Sequence, residues 1–162
     1  SFDRSRASIR LQMERTPDTL LRAAAAALNP ILLQCALDAG ASPMSTGACG
    51  RTALMLAIMR GGGHEATHDL VGKLLAIGTP SGINCRATTT GLTALMLAAH
   101  LGMLTVVQTL IEAGASVEIE CTEGKTAWHK AQTGSDESQA SRASIVCMLE
   151  AAAAAEAAAA SR

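Results

Sequence analysis

GLTALMLAAHLGMLTVVQTLIEAGASV, residues 91–117, reads as one complete structural unit with punctuation at both ends. Gly91 can take the positive φ of a turn, and the Thr93 hydroxyl can accept from an orphan amide of the helix that follows. Leu95, Leu97, Ala98 and Ala99 then make a short, thin helix whose alanines admit a close neighbour, until Gly102 permits the left-handed turn that ends it. Beyond that glycine, Leu104, Val106, Val107, Leu110 and Ile111 recur at helical spacing, and Ala113-Gly114-Ala115 supplies an exit before Val117. The order is helix, turn, helix, loop.

The pattern recurs along the chain. Gly-x-Thr appears at Gly50/Thr52, Gly91/Thr93 and Gly124/Thr126, and Thr19 stands with Pro17 in the glycine position. From Thr19 to Thr52 is 33 residues and from Thr93 to Thr126 is 33 again, but Thr52 to Thr93 is 41, so the second unit carries eight extra residues. Gly40, Gly78 and Gly114 lie 21, 26 and 21 residues after their threonines, which puts five of the eight inside the helix pair and three in the loop beyond. The units run over about residues 17–49, 50–90, 91–123 and 124–150, after a lead-in at 1–15 and before an alanine-rich helical extension at 151–162.

A period of 33 carrying Thr-Ala-Leu-x-Leu-Ala-Ala, then Gly, then Val-Val-x-x-Leu-Ile-x-Ala-Gly-Ala resembles the ankyrin repeat. The resemblance is strongest at 91–123 and weakest at 124–150. Ala53, Ala94, Ala127 and Leu20 stand where the family carries proline, and its histidine survives only as His129, with Arg22, Met55 and Met96 in the other units. Proline in a first turn helps a helix without being required, so these departures leave the fold intact.

The resemblance implies an all-α solenoid of helix-turn-helix units with short β-hairpin-like finger loops. It also implies a protein-protein interaction module, a scaffold or adaptor without catalysis, cofactor or metal, that binds a protein or peptide through its fingers and concave helix face. Carried over position by position, the contact residues are Arg51, Met59 and Arg60 in the second unit; Thr90, Leu92, His100 and Leu101 in the third; and Glu123 and Lys125 in the fourth. Exposed apolar Met59, Leu92 and Leu101 would then be rimmed by charge, as a peptide or helix partner requires.

Composition agrees with stacked thin helices. Aromatic residues make up 1% of the chain, Phe2 and Trp128 alone, so a core must come from alanine, leucine, isoleucine, valine and methionine. A net charge of −1 gives no general attraction to nucleic acid or an anionic membrane. The five cysteines are widely spaced with no CxxC pair and read as reduced thiols, Cys35 and Cys147 as small buried groups of second helices and Cys49, Cys85 and Cys121 in loops. The longest apolar candidate, Leu20–Leu28, falls short of the ~20 residues that span a bilayer. A monomeric cytoplasmic domain is expected; an organellar location is the alternative, since Arg4, Arg6, Arg10 and Arg15 suit a targeting region as well as a lead-in that covers the end of the stack.

Four local features complete the reading. His64-Glu65-Ala66-Thr67-His68 is an H-E-x-x-H string, which in zinc peptidases puts two imidazoles on one helix face with a glutamate to activate water. No third ligand follows at the expected spacing, and the bland reading is an extra turn on the second helix, with Val71, Leu74 and Leu75 inward. The loop TPSGINCRATTTGL should project as an enlarged finger, and Glu118, Glu120 and Glu123 make the next finger acidic. Between Ala131 and Ile145 the composition predicts a polar loop, after which polyalanine prolongs a helix that caps the stack. Trp128 reads as core and His129 as a bond between loops. Beside the interaction module stand two other readings: a structural subunit of a large assembly, and a zinc hydrolase at the H-E-x-x-H string.

Overall fold

The computed structural model describes residues 16–47, 49–62, 65–77, 80–134 and 139–161, so the 1–15 lead-in lies outside the described residues. In chain order the helices are α1 (Pro17–Ala26), α2 (Pro30–Asp38), α3 (Ala53–Gly61), α4 (Glu65–Ile77), the single turn α5 (Pro80–Ile83), α6 (Ala94–His100), α7 (Leu104–Glu112), α8 (Ala127–Gln132) and α9 (Gln139–Ala160). Among the described residues there is no strand. The helices pair as α1/α2, α3/α4, α6/α7 and α8/α9. The first members stack in the order α1, α3, α6, α8 as an inner row, and α4, α7 and α9 stack outside them. This is an all-α solenoid.

Alanine sets the spacing of the inner row. Five residues after each repeat threonine stand Ala24, Ala57, Ala98 and Ala131, each 0–1% exposed. A methyl group at that point lets two helix backbones approach more closely than any longer side chain would allow. Leu21, Leu54 and Leu95, two residues after their threonines, are also buried and fill the space beside each alanine. Thr52 and Thr93 are themselves buried and cap their helices: each hydroxyl accepts from an amide three residues on, that of Met55 at 3.4 Å and that of Met96 at 3.3 Å.

The first pair departs from the expected start. α1 begins at Pro17, not after Thr19, and the Thr19 hydroxyl donates to the Thr16 carbonyl at 2.8 Å from inside the helix. The proline, preorganised for a first turn, adds a turn in front without moving the packing register. The helix also ends at Ala26, and Leu28, with φ of 52°, takes the left-handed turn that follows. Asn29 is extended and caps α2, its side chain accepting from the Ile31 and Leu32 amides at 3.1 Å. Leu28 lies nine residues after Thr19, as Gly102 with φ of 70° lies nine after Thr93, so the 33-residue register holds even where the residue is wrong for the conformation.

Half of the eight-residue insertion lengthens α4, which has 13 residues against nine in α7. Its Val71 and Leu74 are buried and Leu75 is half-buried, as expected. The loop that follows does not project. It folds back as α5, buries Ile83 and seats Gly82 so closely against the Met44 side chain that a Cβ there would overlap the sulfur. A glycine-containing turn can accept a methionine that a side chain would exclude.

The fingers are turns, each closed by a backbone bond: Gly47 N–H to Arg51 O at 3.0 Å, Ala87 N–H to Leu92 O at 3.0 Å, and Cys121 N–H to Lys125 O at 2.9 Å. Adjacent fingers are tied by Thr88 N–H to Cys49 O at 3.1 Å and by Thr122, whose amide and hydroxyl donate to Thr90 O at 3.3 and 3.0 Å. Gly50 and Gly91 permit this approach, since a Cβ would come within 2.5 Å of the Thr88 amide or 2.8 Å of the Thr122 amide. Cys35 and Cys147 are exposed, contrary to expectation, because they sit on the outer side of the second helices, and Cys121 is buried at the base of its finger.

The last helix starts at Gln139, well before Ile145, so much of the expected polar loop is helical; residues 135–138 lie outside the described residues. Residues 140–160 are long and apolar enough, by length and composition, to cross a membrane, with a mean hydropathy of 1.5. That corrects the earlier count of apolar runs, in which polyalanine was read only as helix-forming. α9 packs on α7 and α8 through buried Ile145 and Leu149, with Ala152 and Ala153 against the core. Its two carboxylates point to the stack: Glu150 accepts from the Trp128 indole at 3.2 Å, and Glu156 accepts from the Ser116 hydroxyl and the Val117 amide, both at 3.3 Å. Trp128 is thus half-buried at the edge of the core, and a glutamate breaks the alanine run where the run meets the preceding unit.

Two outcomes follow from this packing. Ala98→Leu overfills the closest crossing of the inner row and lowers stability by about 1–3 kcal/mol in urea unfolding. Glu156→Ala releases the end of α9, costs about 1 kcal/mol, and raises amide hydrogen exchange over residues 151–160 while leaving α6 and α7 protected.

Candidate functional site

Two small clefts lie between the first helices and the fingers. Arg51, Met59, Thr90 and Leu92 line one cleft there together with Met55, Ala87 and Leu97, with a volume of about 40 Å³. Leu92 and Leu97 also line the adjoining cleft, of about 90 Å³, with Met96, His100 and Lys130. Five of the nine residues carried over from sequence, Arg51, Met59, Thr90, Leu92 and His100, therefore meet on one continuous surface. Arg60 is exposed beside it at the end of α3.

Other placements differ from expectation. Leu92 and Leu101 are half-buried, because Leu92 lies across the two clefts and Leu101 follows α6 packed against the core; Met59, 39% exposed, is the open apolar group. Leu101 lines neither cleft. Glu123 and Lys125 lie in the next finger, where Lys125 Nζ is 3.0 Å and Lys130 Nζ 3.3 Å from Glu123 Oε2. Hydrogen bonds from Lys125 and then Lys130, with the attraction of both ammonium groups, hold the Glu123 carboxyl below the usual glutamate range.

Lys130, Leu97, Met55 and Met96 were missed by reasoning that looked to fingers and helix ends. A signal existed: Ala23, Leu56, Leu97 and Lys130, each four residues after a repeat threonine, are all half-buried and form one column of the inner row. Methionine at Met55 and Met96 takes the place where the resemblance expects histidine, and it supplies soft apolar walls. His129, the surviving histidine, does not bond between loops. Its Nδ1 lies 3.0 Å from the Thr126 hydroxyl and accepts from the Thr126 amide at 3.3 Å, a cap of its own helix. The Nδ1 of His100 is buried without a hydrogen-bond partner among the described residues.

Charge is divided between the two rows. Among the described residues the cations Arg22, Arg51, Arg60, Arg86, Lys125 and Lys130 and the acid Asp18 belong to first helices and fingers, whereas the acids Asp38, Glu65, Asp69, Glu112, Glu150 and Glu156 and the cations Lys73 and Arg142 belong to second helices. The three glutamates of the finger after α7, Glu118, Glu120 and Glu123, are the main acidic exception on the finger side.

The H-E-x-x-H string lies on the outer row. His64 is outside the described residues; Glu65 and His68 are exposed, and Thr67 between them is fully buried against Gly61. Glu65 and His68 line an outer cleft of about 470 Å³ with Met103, Leu104, Thr105 and Ser141, and His68 Nε2 lies 3.3 Å from the Thr109 hydroxyl. No group of three His, Cys, Asp or Glu side chains placed to hold a metal occurs among the described residues.

A sequence model of ankyrin repeats, in three copies, matches residues 20–120 and 63–138 of the chain. No curated protein matches it.

The finger triad has a pH signature. A carboxyl whose folded pKa is lowered contributes stability that is present above its unfolded pKa and is lost as pH falls through the folded one. In an NMR titration Glu123 is expected to protonate below the ordinary glutamate range, and Lys125→Gln with Lys130→Gln is expected to bring it back to that range.

Proposed function

The chain belongs to the ankyrin-repeat family, whose repeats are in general protein-protein interaction modules, and from that premise we propose that it binds a partner protein through its finger loops and the inner face of its first helices. The observation that carries this reading is the meeting of Arg51, Met59, Thr90, Leu92 and His100 along two adjoining clefts. Neither cleft approaches the roughly 300–1,000 Å³ of a small-molecule pocket. Each accommodates the tip of one side chain, and a row of such sockets with a charged rim suits an extended or helical segment of another protein. We further propose that the domain acts as a monomer in the cytoplasm and performs no chemistry.

A photo-crosslinking residue at Met59 or Leu92 should retrieve one and the same set of proteins, and one at Gln108 on α7 should not. Loss of that set with Leu92→Glu, at unchanged helix content by circular dichroism, locates the face. Retrieval from Gln108 alone would move the interaction to the outer row.

A further inference from the structure

We infer that the segment received by the inner face is acidic: a stretch of the partner protein in which leucine- or methionine-sized side chains alternate with carboxylates. The inference rests on the reading that this face docks a protein and adds the chemistry of what docks. Its ground is charge complementarity. The clefts are walled by Met55, Met59, Met96 and Leu97, with Arg51 at one end and Lys130 at the other, and no carboxylate lines either of them. Glu123, the nearby acid, is shared between Lys125 and Lys130, so the three together keep one net positive charge beside the cleft. Arg60, exposed in the last turn of α3 and next in sequence to the cleft-lining Met59, adds a further cation on this helix.

The surplus of positive charge is local, since the whole chain carries −1. Six of the ten described acids stand on the outer helices, and Asp18 and the finger glutamates Glu118, Glu120 and Glu123 line neither cleft. At ordinary ionic strength charges separated by more than about 8–10 Å are largely screened from one another, so an approaching segment meets the inner face as basic. Small apolar sockets between cations select an apolar side chain at the socket and a carboxylate beside it. A single-stranded nucleic acid would meet the same cations, but the clefts offer no aromatic platform for base stacking, and Trp128 is bonded to Glu150 at the opposite edge of its helix pair.

Fluorescence anisotropy with labelled synthetic peptides of equal length tests this, using the whole chain at about 0.1 M salt. A peptide alternating Glu and Leu is compared with one alternating Lys and Leu and one alternating Glu and Ser, and oligothymidylate is the nucleic-acid probe. The Glu/Leu peptide is expected to bind about tenfold more tightly than either other peptide, to weaken as salt rises, and to lose about tenfold with Arg51→Glu plus Arg60→Glu. Helix content by circular dichroism checks that the variant is folded. Equal or tighter binding of the Lys/Leu peptide, an unchanged affinity in the variant, no binding of Glu/Leu, or oligothymidylate bound as tightly as Glu/Leu would each overturn the inference. If crosslinks from Met59 and Leu92 still retrieve their partner when Glu/Leu is not preferred, the docking face stands and only its charge preference fails.

Discussion

The inner helices stack directly on one another, and a column of buried methyl groups keeps side chains from holding them apart. Ala24, Ala57, Ala98 and Ala131 occupy equivalent places and are almost wholly excluded from solvent. With alanine there, the inner helices can be short and tightly packed, and the fingers that continue from them come within hydrogen-bonding distance of each other. Thr88 and Thr122 reach back to the preceding finger only because the helices beneath are close. The near absence of aromatic side chains follows from the same constraint: a ring at any of these crossings would force the row apart.

The outer row obeys a looser rule. α4 is longer than α7, and α9 is longer still, yet the inner row keeps its order. Variation is tolerated there because each outer helix needs only one apolar stripe against its own inner partner. The consequence shows at the first junction, where α2 has little contact with α4 and Ile31 remains 74% exposed. At the other end the length of α9 is tied down by polar groups, since alanine offers little apolar area to bury. Glu150 and Glu156 supply what the side chains between them cannot.

Repeat spacing was legible in the sequence because the inner row repeats one environment. Thr, Ala and Gly at fixed intervals report a cap, a crossing and a turn, and the structure has all three at 52–62 and 93–102. What could not be read is local and has physical causes. Pro17 extends α1 ahead of Thr19 because an early proline favours a first turn whatever the register. Leu28 holds a left-handed conformation that its type disfavours, since the packing of two helices on either side fixes the turn. The loop after α4 folded back because Met44, far away in sequence, fills the space over Gly82. Of the site, the finger residues were legible by position, but the Leu97 and Lys130 column depends on which flank of a helix is left half-covered, and that is decided by the neighbouring helices.

The two rows also divide the chemistry. Alanine crossings consume the faces of the inner helices that meet one another, so the only variable positions left on that row point into the clefts or out through the fingers, and there the chain places methionine, leucine and cations. The outer helices, free of that restriction, carry most of the described carboxylates and two of the three exposed cysteines, Cys35 and Cys147. A surface generated by repetition is thereby given direction. One flank carries small sockets with soft apolar walls beside Arg51 and Lys130, and the other carries most of the described carboxylates and the larger cleft at His68. Because the framework requires alanine only at the crossings, substitutions in the clefts change what is recognised without altering the spacing that supports it.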